Sequence, residues 1–309
     1  MSLYGMLAGK GSNGFGYGST AEDVTAGLDL SGKTILVTGC ASGLGLETTR
    51  VLRLRGAHVI GTGRTAARAS EAVAGQQGLR GQFTGLACEL SDPGSVRACV
   101  ADVKARGLTL DAIIANAGIM ALPKLEKAHG YELQFFTNHV GHFMLVTGLL
   151  DRLADAGRIV MVSSEAHRRA PAETIDFDNL RGEKSYDAWL AYGRSKMANI
   201  LFAKQLAKRL VGTKKTANAL HPGVIKTNLG RHMGGIGNLA LALASPIALK
   251  SVGEGAATQC YVAVNPGAAT VTGEYFSHSQ IAKPRADARD ESKAERLWQV
   301  TEEIVAGLP

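Results

Sequence analysis

The chain has 309 residues, 45% of them hydrophobic and 20% charged, with a formal charge of +7. This balance is that of an ordinary globular protein and excludes a disordered or fibrous chain. The basic residues are dispersed, with no block of five or six like charges, which speaks against a nucleic-acid partner and for a solvated surface with a pocket for an anionic cofactor.

Six glycines fall within the first eighteen residues, so 1–28 reads as a glycine-rich, flexible or irregular extension. No charged-then-apolar signal peptide is visible, and no run of 18 apolar residues predicts an integral membrane segment. Residues 33–38 form a short apolar run ending in glycines, a strand followed by a turn. Residues 44–55 have helical spacing, 57–62 read as a second strand followed by a polar helix, and 82–88 as a third strand. Asp92 and Pro93 open a helix ending near Gly107, with aspartate as the cap and proline in the first turn. A fourth strand is expected at 110–115, a long helix at about 131–155, and a fifth strand at 158–163. A second long helix follows at about 186–210, then a sixth strand at 217–220 stopped by Pro222, a short strand at 273–276, and an amphipathic tail helix beyond about 284. Alternating strands and helices imply a parallel sheet covered on both faces. The fold class is α/β: a Rossmann fold with a doubly wound sheet of about seven strands, occupying 29–309 as a single domain. Cys40, Cys88, Cys99 and Cys260 match no zinc or redox spacing. They read as free thiols of a reducing compartment, the cytoplasm, and no metal is expected.

The first strand runs into Thr38-Gly39-Cys40-Ala41-Ser42-Gly43-Leu44-Gly45 and then a helix. Backbone N–H groups at such a turn and the helix dipole make a pyrophosphate site, and glycine admits the close approach. Where an NAD site places an acid, after the second strand, this chain has Gly63-Arg64-Thr65. Arg64 suits a 2′-phosphate, which favours NADP over NAD without excluding the latter.

Tyr192 and Lys196 lie four apart on one helix and so share a face. A nearby ammonium stabilises phenolate, and the expectation is a tyrosine pKa below its usual value of about 10, usable in acid–base chemistry. The same spacing also fits a half-buried tyrosine beside a snorkelling lysine. Ser163-Ser164 ends the fifth strand, at the sheet edge where ligands bind. A hydroxyl there either bonds a substrate oxygen or caps the next segment.

Together these residues resemble the short-chain dehydrogenase/reductase family over about 31–280, with the motifs in the family's order. Thr38–Gly45 is similar to its glycine turn, which assigns Gly39, Ser42, Gly43, Leu44 and Gly45 to the cofactor. Asn116-Ala117-Gly118 is similar to its Asn-Ala-Gly motif, and Pro222-Gly223 with Thr227 to the segment near the nicotinamide. The resemblance implies a catalytic set of Asn138, Ser164, Tyr192 and Lys196, with Asn138 holding a proton-relay water. Glu89-Leu90 stands where the family has Asp-Leu beside the adenine, and Ala115 replaces the first asparagine of Asn-Asn-Ala-Gly. Asn138-His139-Val140-Gly141-His142-Phe143, Ser163-Ser164-Glu165-Ala166-His167, Leu220-His221-Pro222-Gly223, Gly255-Ala256-Ala257 and Leu297-Trp298 resemble the retinol-dehydrogenase and WW-domain-oxidoreductase-like branch.

The implied reaction interconverts a carbonyl and an alcohol by hydride transfer, with Tyr192 as general acid and base. A lid is expected at about 228–250, where Leu239-Ala240-Leu241-Ala242-Leu243-Ala244 suggests a bulky or lipophilic small-molecule substrate. The same stretch also fits a homo-oligomer contact or a peripheral membrane helix. His167 fits either the substrate pocket or the surface. The alternative functions are a light-dependent ring reductase and a non-catalytic NADP-binding regulator.

Overall fold

All five residues of β1 (Thr34–Thr38) are buried, and its side chains alternate between two cores. Ile35 and Val37 join Val51, Leu52 and Cys260 on one face, while Leu36 joins Leu145, Met161 and Phe135 on the other. Burial on both faces is what turns these strands into apolar runs. The computed structural model describes residues 9–225 and 249–309.

Around β1 the sheet builds outward in both directions. β2 (His58–Gly63) and β3 (Phe83–Ala87) lie on one side, β4 (Leu110–Ala115) on the other. A separate hairpin of β5 (Lys127–Ala128) and β6 (Tyr131–Glu132) precedes β7 (Leu153–Val162), β8 (Thr216–His221), β9 (Tyr275–Ser277) and β10 (Gln280–Ala282). The main sheet has the order β10-β9-β8-β7-β4-β1-β2-β3, parallel throughout except between β9 and β10. Seven strands are therefore parallel. The eighth is added by a tight turn at His278 and Ser279, both with positive φ. Strand order reverses between β1 and β4, so their C-terminal ends open a crevice for ligand.

The helices are α1 (Ala21–Val24), α2 (Gly43–Leu54), α3 (Ala66–Val73), α4 (Pro93–Ala105), α5 (Gly141–Gly148), α6 (Ala188–Arg209), α7 (Val252–Val264) and α8 (Glu291–Ala306). Asp92 caps α4 through the Gly94 N–H, with Pro93 in its first turn, as its residue types require. The expected helix at 131–155 is instead a composite. The Glu132 carboxylate accepts the N–H groups of Gln134 and Phe135 and starts a short helical turn. A π-helical segment, Phe136–Val140, follows before α5. A 3₁₀ turn at Leu150–Arg152 ends the run, because Leu153 already pairs with Leu110 in the sheet.

Residues 9–28, of which only Ala21–Val24 is helical, are docked. Asn13 donates to the Ser279 carbonyl at 2.7 Å, the Phe15 ring meets Tyr261 edge-on, and Ala21 and Val24 are buried in the core. At the other end, α8 seats Trp298 against Phe143 and Phe202, with ring centroids 4.8 and 5.6 Å away. No helix among the described residues is long and apolar enough to cross a membrane.

Candidate active site

The glycine turn after β1 is shaped by two close approaches. Gly39 has φ +68°, a left-handed conformation, and a side chain there would press on Ala117. A methyl on Gly45 would stand 2.1 Å from the Gly39 carbonyl oxygen, so only glycine lets α2 begin this near the strand. Gly43, by contrast, faces open space. Ser42 is the N-cap residue of α2, yet its side chain makes no capping hydrogen bond. The first N–H groups of α2 thus lack the usual side-chain acceptor and are available to an anion. Leu44 turns its side chain the other way, toward Gly255 on α7. This fits a dinucleotide pyrophosphate.

Arg64 is exposed immediately after β2 and takes no hydrogen bond or ion pair among the described residues. Glu89 follows β3; its carboxylate accepts from the Ser91 N–H and hydroxyl at 3.1 and 2.8 Å, and Ser95 holds its backbone N–H. Leu90 is buried against Gly141, where a Cβ would stand 2.2 Å from the Leu90 carbonyl oxygen.

At the end of β1 the Thr38 hydroxyl accepts the N–H groups of Asn116 and Ala117, both at 2.9 Å. The Asn116 amide returns a bond to the Thr38 carbonyl at 2.8 Å. His142 joins this knot. Its Nδ1 lies 3.0 Å from the Asn138 carbonyl, which can only accept, so Nδ1 carries the proton. Nε2 must then accept from the Thr38 hydroxyl, 2.9 Å away. Burial and the Lys196 charge keep His142 neutral, with its pKa down at about 4.

Asn138 lies in the π-helical segment, fully buried. Its side chain is spent on structure: Oδ1 accepts the Ile119 N–H, while Nδ2 donates to the Ile119 carbonyl and to Ser195 Oγ. Its main-chain carbonyl accepts from His142 Nδ1, which leaves that oxygen one further lone pair. Gly118 gives both Asn138 and Lys196 room, since a methyl there would come within 3.0 Å of Asn138 Oδ1 and 3.3 Å of Lys196 Nζ.

The serine pair separates into two roles. Ser163 Oγ donates to the Lys196 carbonyl at 2.7 Å and is buried structure. Ser164 is half-exposed; its hydroxyl accepts the Ala166 N–H at 3.2 Å, capping the next turn, and stands beside the Tyr192 phenol. Lys196 Nζ lies 5.7 Å from the centre of the Tyr192 ring and donates to the Val162 carbonyl at 3.0 Å. Burial brings the Lys196 ammonium down to about 8. The expected lowering of Tyr192 is not found in the protein by itself: burial pushes its phenol up to about 12, against the pull of the Ser164 hydrogen bond. The lysine charge is weakened by its own desolvation and spent on a carbonyl, so burial wins.

His167 is neither a surface residue nor a pocket residue. It is buried, donates from Nδ1 to the Ser164 carbonyl at 2.7 Å and accepts the Arg285 N–H at Nε2. Pro222 is buried after β8, and Gly223, with φ +101°, packs on the Lys250 side chain. Thr227 and lid positions 228–248 lie outside the described residues. Two residues beside the site had no motif to mark them: Trp189, three positions before Tyr192, and Arg169, five after Ser164. Only the i, i+3 spacing on α6 hinted at the first.

A family model described as short chain dehydrogenase matches residues 33–234. The short-chain dehydrogenase TIC 32 A, chloroplastic, of Brassica napus is 40% identical across 100% of both chains. Retinol dehydrogenase 14 of Mus musculus is 40% identical over 90% of this chain and 87% of its own. A crystal structure of a short chain dehydrogenase from Burkholderia cenocepacia J2315 in complex with NADP superposes with a TM-score of 0.65 at 26% identity, covering 80% of this chain and 96% of that one. With the glycine turn, the Asn-Ala-Gly knot and the Ser164–Tyr192–Lys196 cluster assembled at one sheet edge, the chain belongs to the short-chain dehydrogenase/reductase family, in its retinol-dehydrogenase-like branch, and is an oxidoreductase of CH–OH and C=O groups.

Proposed function

We propose that the protein interconverts a ketone or aldehyde with its alcohol on a bulky or lipophilic small molecule, using NADP(H) in preference to NAD(H). The observation that carries this reading is the convergence of Ser164, Tyr192 and Lys196 beside an open glycine turn. NADP in the Burkholderia structure supports the choice of cofactor.

In this reading Gly39, Ser42, Gly43, Leu44 and Gly45 hold the pyrophosphate, and Arg64 the 2′-phosphate. Glu89 and Leu90 border the adenine, Asn116, Ala117 and Gly118 the ribose side, and Pro222, Gly223 and Thr227 the nicotinamide. Bound there, NADPH supplies a hydride to the substrate carbonyl carbon. The Ser164 hydroxyl donates to the carbonyl oxygen as charge develops on it. Tyr192 gives that oxygen its proton. A phenol held near 12 stays protonated at neutral pH, which suits the reductive direction. The Lys196 ammonium orients the ribose, and the Asn138 carbonyl holds the water that returns a proton to Tyr192. The four buried free thiols suit a reducing compartment such as the cytoplasm.

The test is NADPH oxidation in the dark against bulky ketones and aldehydes, with NADH in parallel. Tyr192→Phe should lower turnover by about a thousandfold while NADPH affinity stays within twofold. A Tyr192→Phe enzyme that keeps most of its activity would remove the assignment. Reduction that requires light would favour the ring-reductase alternative, and tight NADPH binding without turnover on any substrate a regulator.

A further inference from the structure

The Tyr192 phenol has an aromatic neighbour that hydride transfer does not require. Trp189 sits three residues earlier on α6, so both rings project from one helix face. Their centroids are 6.2 Å apart, edge to face. Over the indole, at 5.2 Å, lies the guanidinium of Arg169. Arg169 closes the short turn Glu165–Arg169 that starts at Ser164. Its backbone is fixed from two sides. A methyl on Gly193 would come within 2.6 Å of the Ala166 oxygen and 2.9 Å of the Ala170 nitrogen, so the turn rests directly on the helix beside Tyr192. Arg285 donates to the carbonyls of Ala170 and Pro171 at 2.6 and 2.9 Å. The Arg169–Trp189 pair is thus anchored to both segments that carry the reacting groups.

The neighbouring arginines have acceptors: Arg168 holds Glu165 and the Lys283 carbonyl, and Arg285 holds Asp287. Arg169 is exposed and takes no carboxylate or carbonyl among the described residues. Residues 226–248 contain no aspartate or glutamate, so that stretch brings no acid to it. A guanidinium lying on an indole keeps its fork of N–H donors at its edge, a shape matched to a planar carboxylate. The stacking also orders the side chain before any ligand arrives.

We infer that Arg169 and Trp189 select carbonyl substrates that bear a carboxylate. The ketone or aldehyde lies at Tyr192 and Ser164, an apolar body packs on Trp189, and the carboxylate docks on Arg169. The inference rests on the carbonyl–alcohol reading and names its substrate class.

The chain has two tryptophans, and Trp298 is buried in the aromatic cluster under α8, so ligand quenching reports Trp189. An aryl keto acid and its methyl ester are titrated into the full-length wild type, Arg169→Met and Arg169→Lys, following tryptophan emission. Turnover of both compounds with NADPH is measured in parallel. The acid should bind about tenfold more tightly than the ester. Arg169→Met should bring the acid down to the ester's affinity without changing the ester, and Arg169→Lys should recover part of the difference. No acid binding, equal affinities in the wild type, or an acid preference that survives Arg169→Met overturns the inference. An acid preference in binding with no turnover of either compound would sink the carbonyl–alcohol reading and leave the carboxylate site standing.

Discussion

At the end of β1 the cleft is made of backbone, and at the end of β7 it is made of side chains. The first region leaves Gly43 open, Ser42 without a capping bond and Gly45 pressed to within a methyl's width of the Gly39 carbonyl. The second locks Ser163 to the Lys196 carbonyl, Lys196 Nζ to the Val162 carbonyl, and Asn138 to Ser195. A ligand held by backbone tolerates no added volume. A reaction run by side chains tolerates some reshaping, but not the loss of one hydroxyl. Substitutions in the two regions should therefore fail in different ways.

The largest effect on cofactor affinity is expected at Gly45. Gly45→Ala places a methyl 2.1 Å from the Gly39 oxygen and 2.6 Å from the Asn116 amide nitrogen, so the turn must open. NADPH affinity by calorimetry should fall by about a hundredfold or more, as several charge-assisted backbone contacts go together, and thermal stability should drop with it. Binding within twofold of wild type would break the backbone side of the comparison.

The serine pair tests the side-chain half. Ser164→Ala should lower kcat by roughly two to three orders of magnitude, as loss of one oxyanion donor does, and cost about 1 kcal/mol with its cap on the Ala166 N–H. Ser163→Ala should cost about as much, for a buried hydrogen bond, while leaving kcat within a few-fold. A denaturation curve and a rate for each variant suffice, and an inverted order would reassign the roles.

How far the sequence reveals each region follows from the same contrast. The glycine turn is local: strand, spacing and helix sit within about a dozen residues, and Gly45 answers to the Gly39 carbonyl inside the motif. The strands were equally legible, because burial on both faces writes apolar runs. The polar knot was not, since Thr38, Asn116, Asn138 and His142 come from four separate segments and meet only once the sheet has formed. The π-helical segment has no periodicity of its own within an apolar helix. The Tyr192 pKa was misjudged for the same reason: helical spacing places Lys196 nearby, but only the fold shows its charge directed at the Val162 carbonyl. By sequence His167 fits the pocket and the surface alike, and only the fold engages both its nitrogens.

Burying His142 in that knot, and His139 beside Thr301, has a cost in acid. Burial holds His142 at about 4 and His139 at about 3, while both return to about 6.5 on unfolding. The unfolded chain then binds more protons than the folded one between these values, so stability rises with pH in that window. It is complete above about 6.5 and is lost as pH falls toward 4, with His142 alone contributing roughly 3 kcal/mol. Urea midpoints measured from pH 7 to pH 5 should fall steadily, and the slope should shrink in His142→Gln. A flat profile would mean that the histidines are hydrated rather than sealed.

The smallest effect is expected at Arg64, the side chain proposed to hold the 2′-phosphate beside the backbone half. It stands exposed after β2 with no protein acceptor among the described residues, so removing it strands no buried group. Arg64→Ala should weaken NADPH about tenfold, within the range for a hydrogen bond to a charged group, and leave NADH unchanged, because only the 2′-phosphate distinguishes the two. Being solvent-exposed, the same contact should fade with salt. The wild-type preference for NADPH should therefore narrow as ionic strength rises, while that of Arg64→Ala stays level. A preference that survives both the substitution and the salt would place 2′-phosphate recognition in the backbone of the turn itself, and the division between the two regions would then be complete.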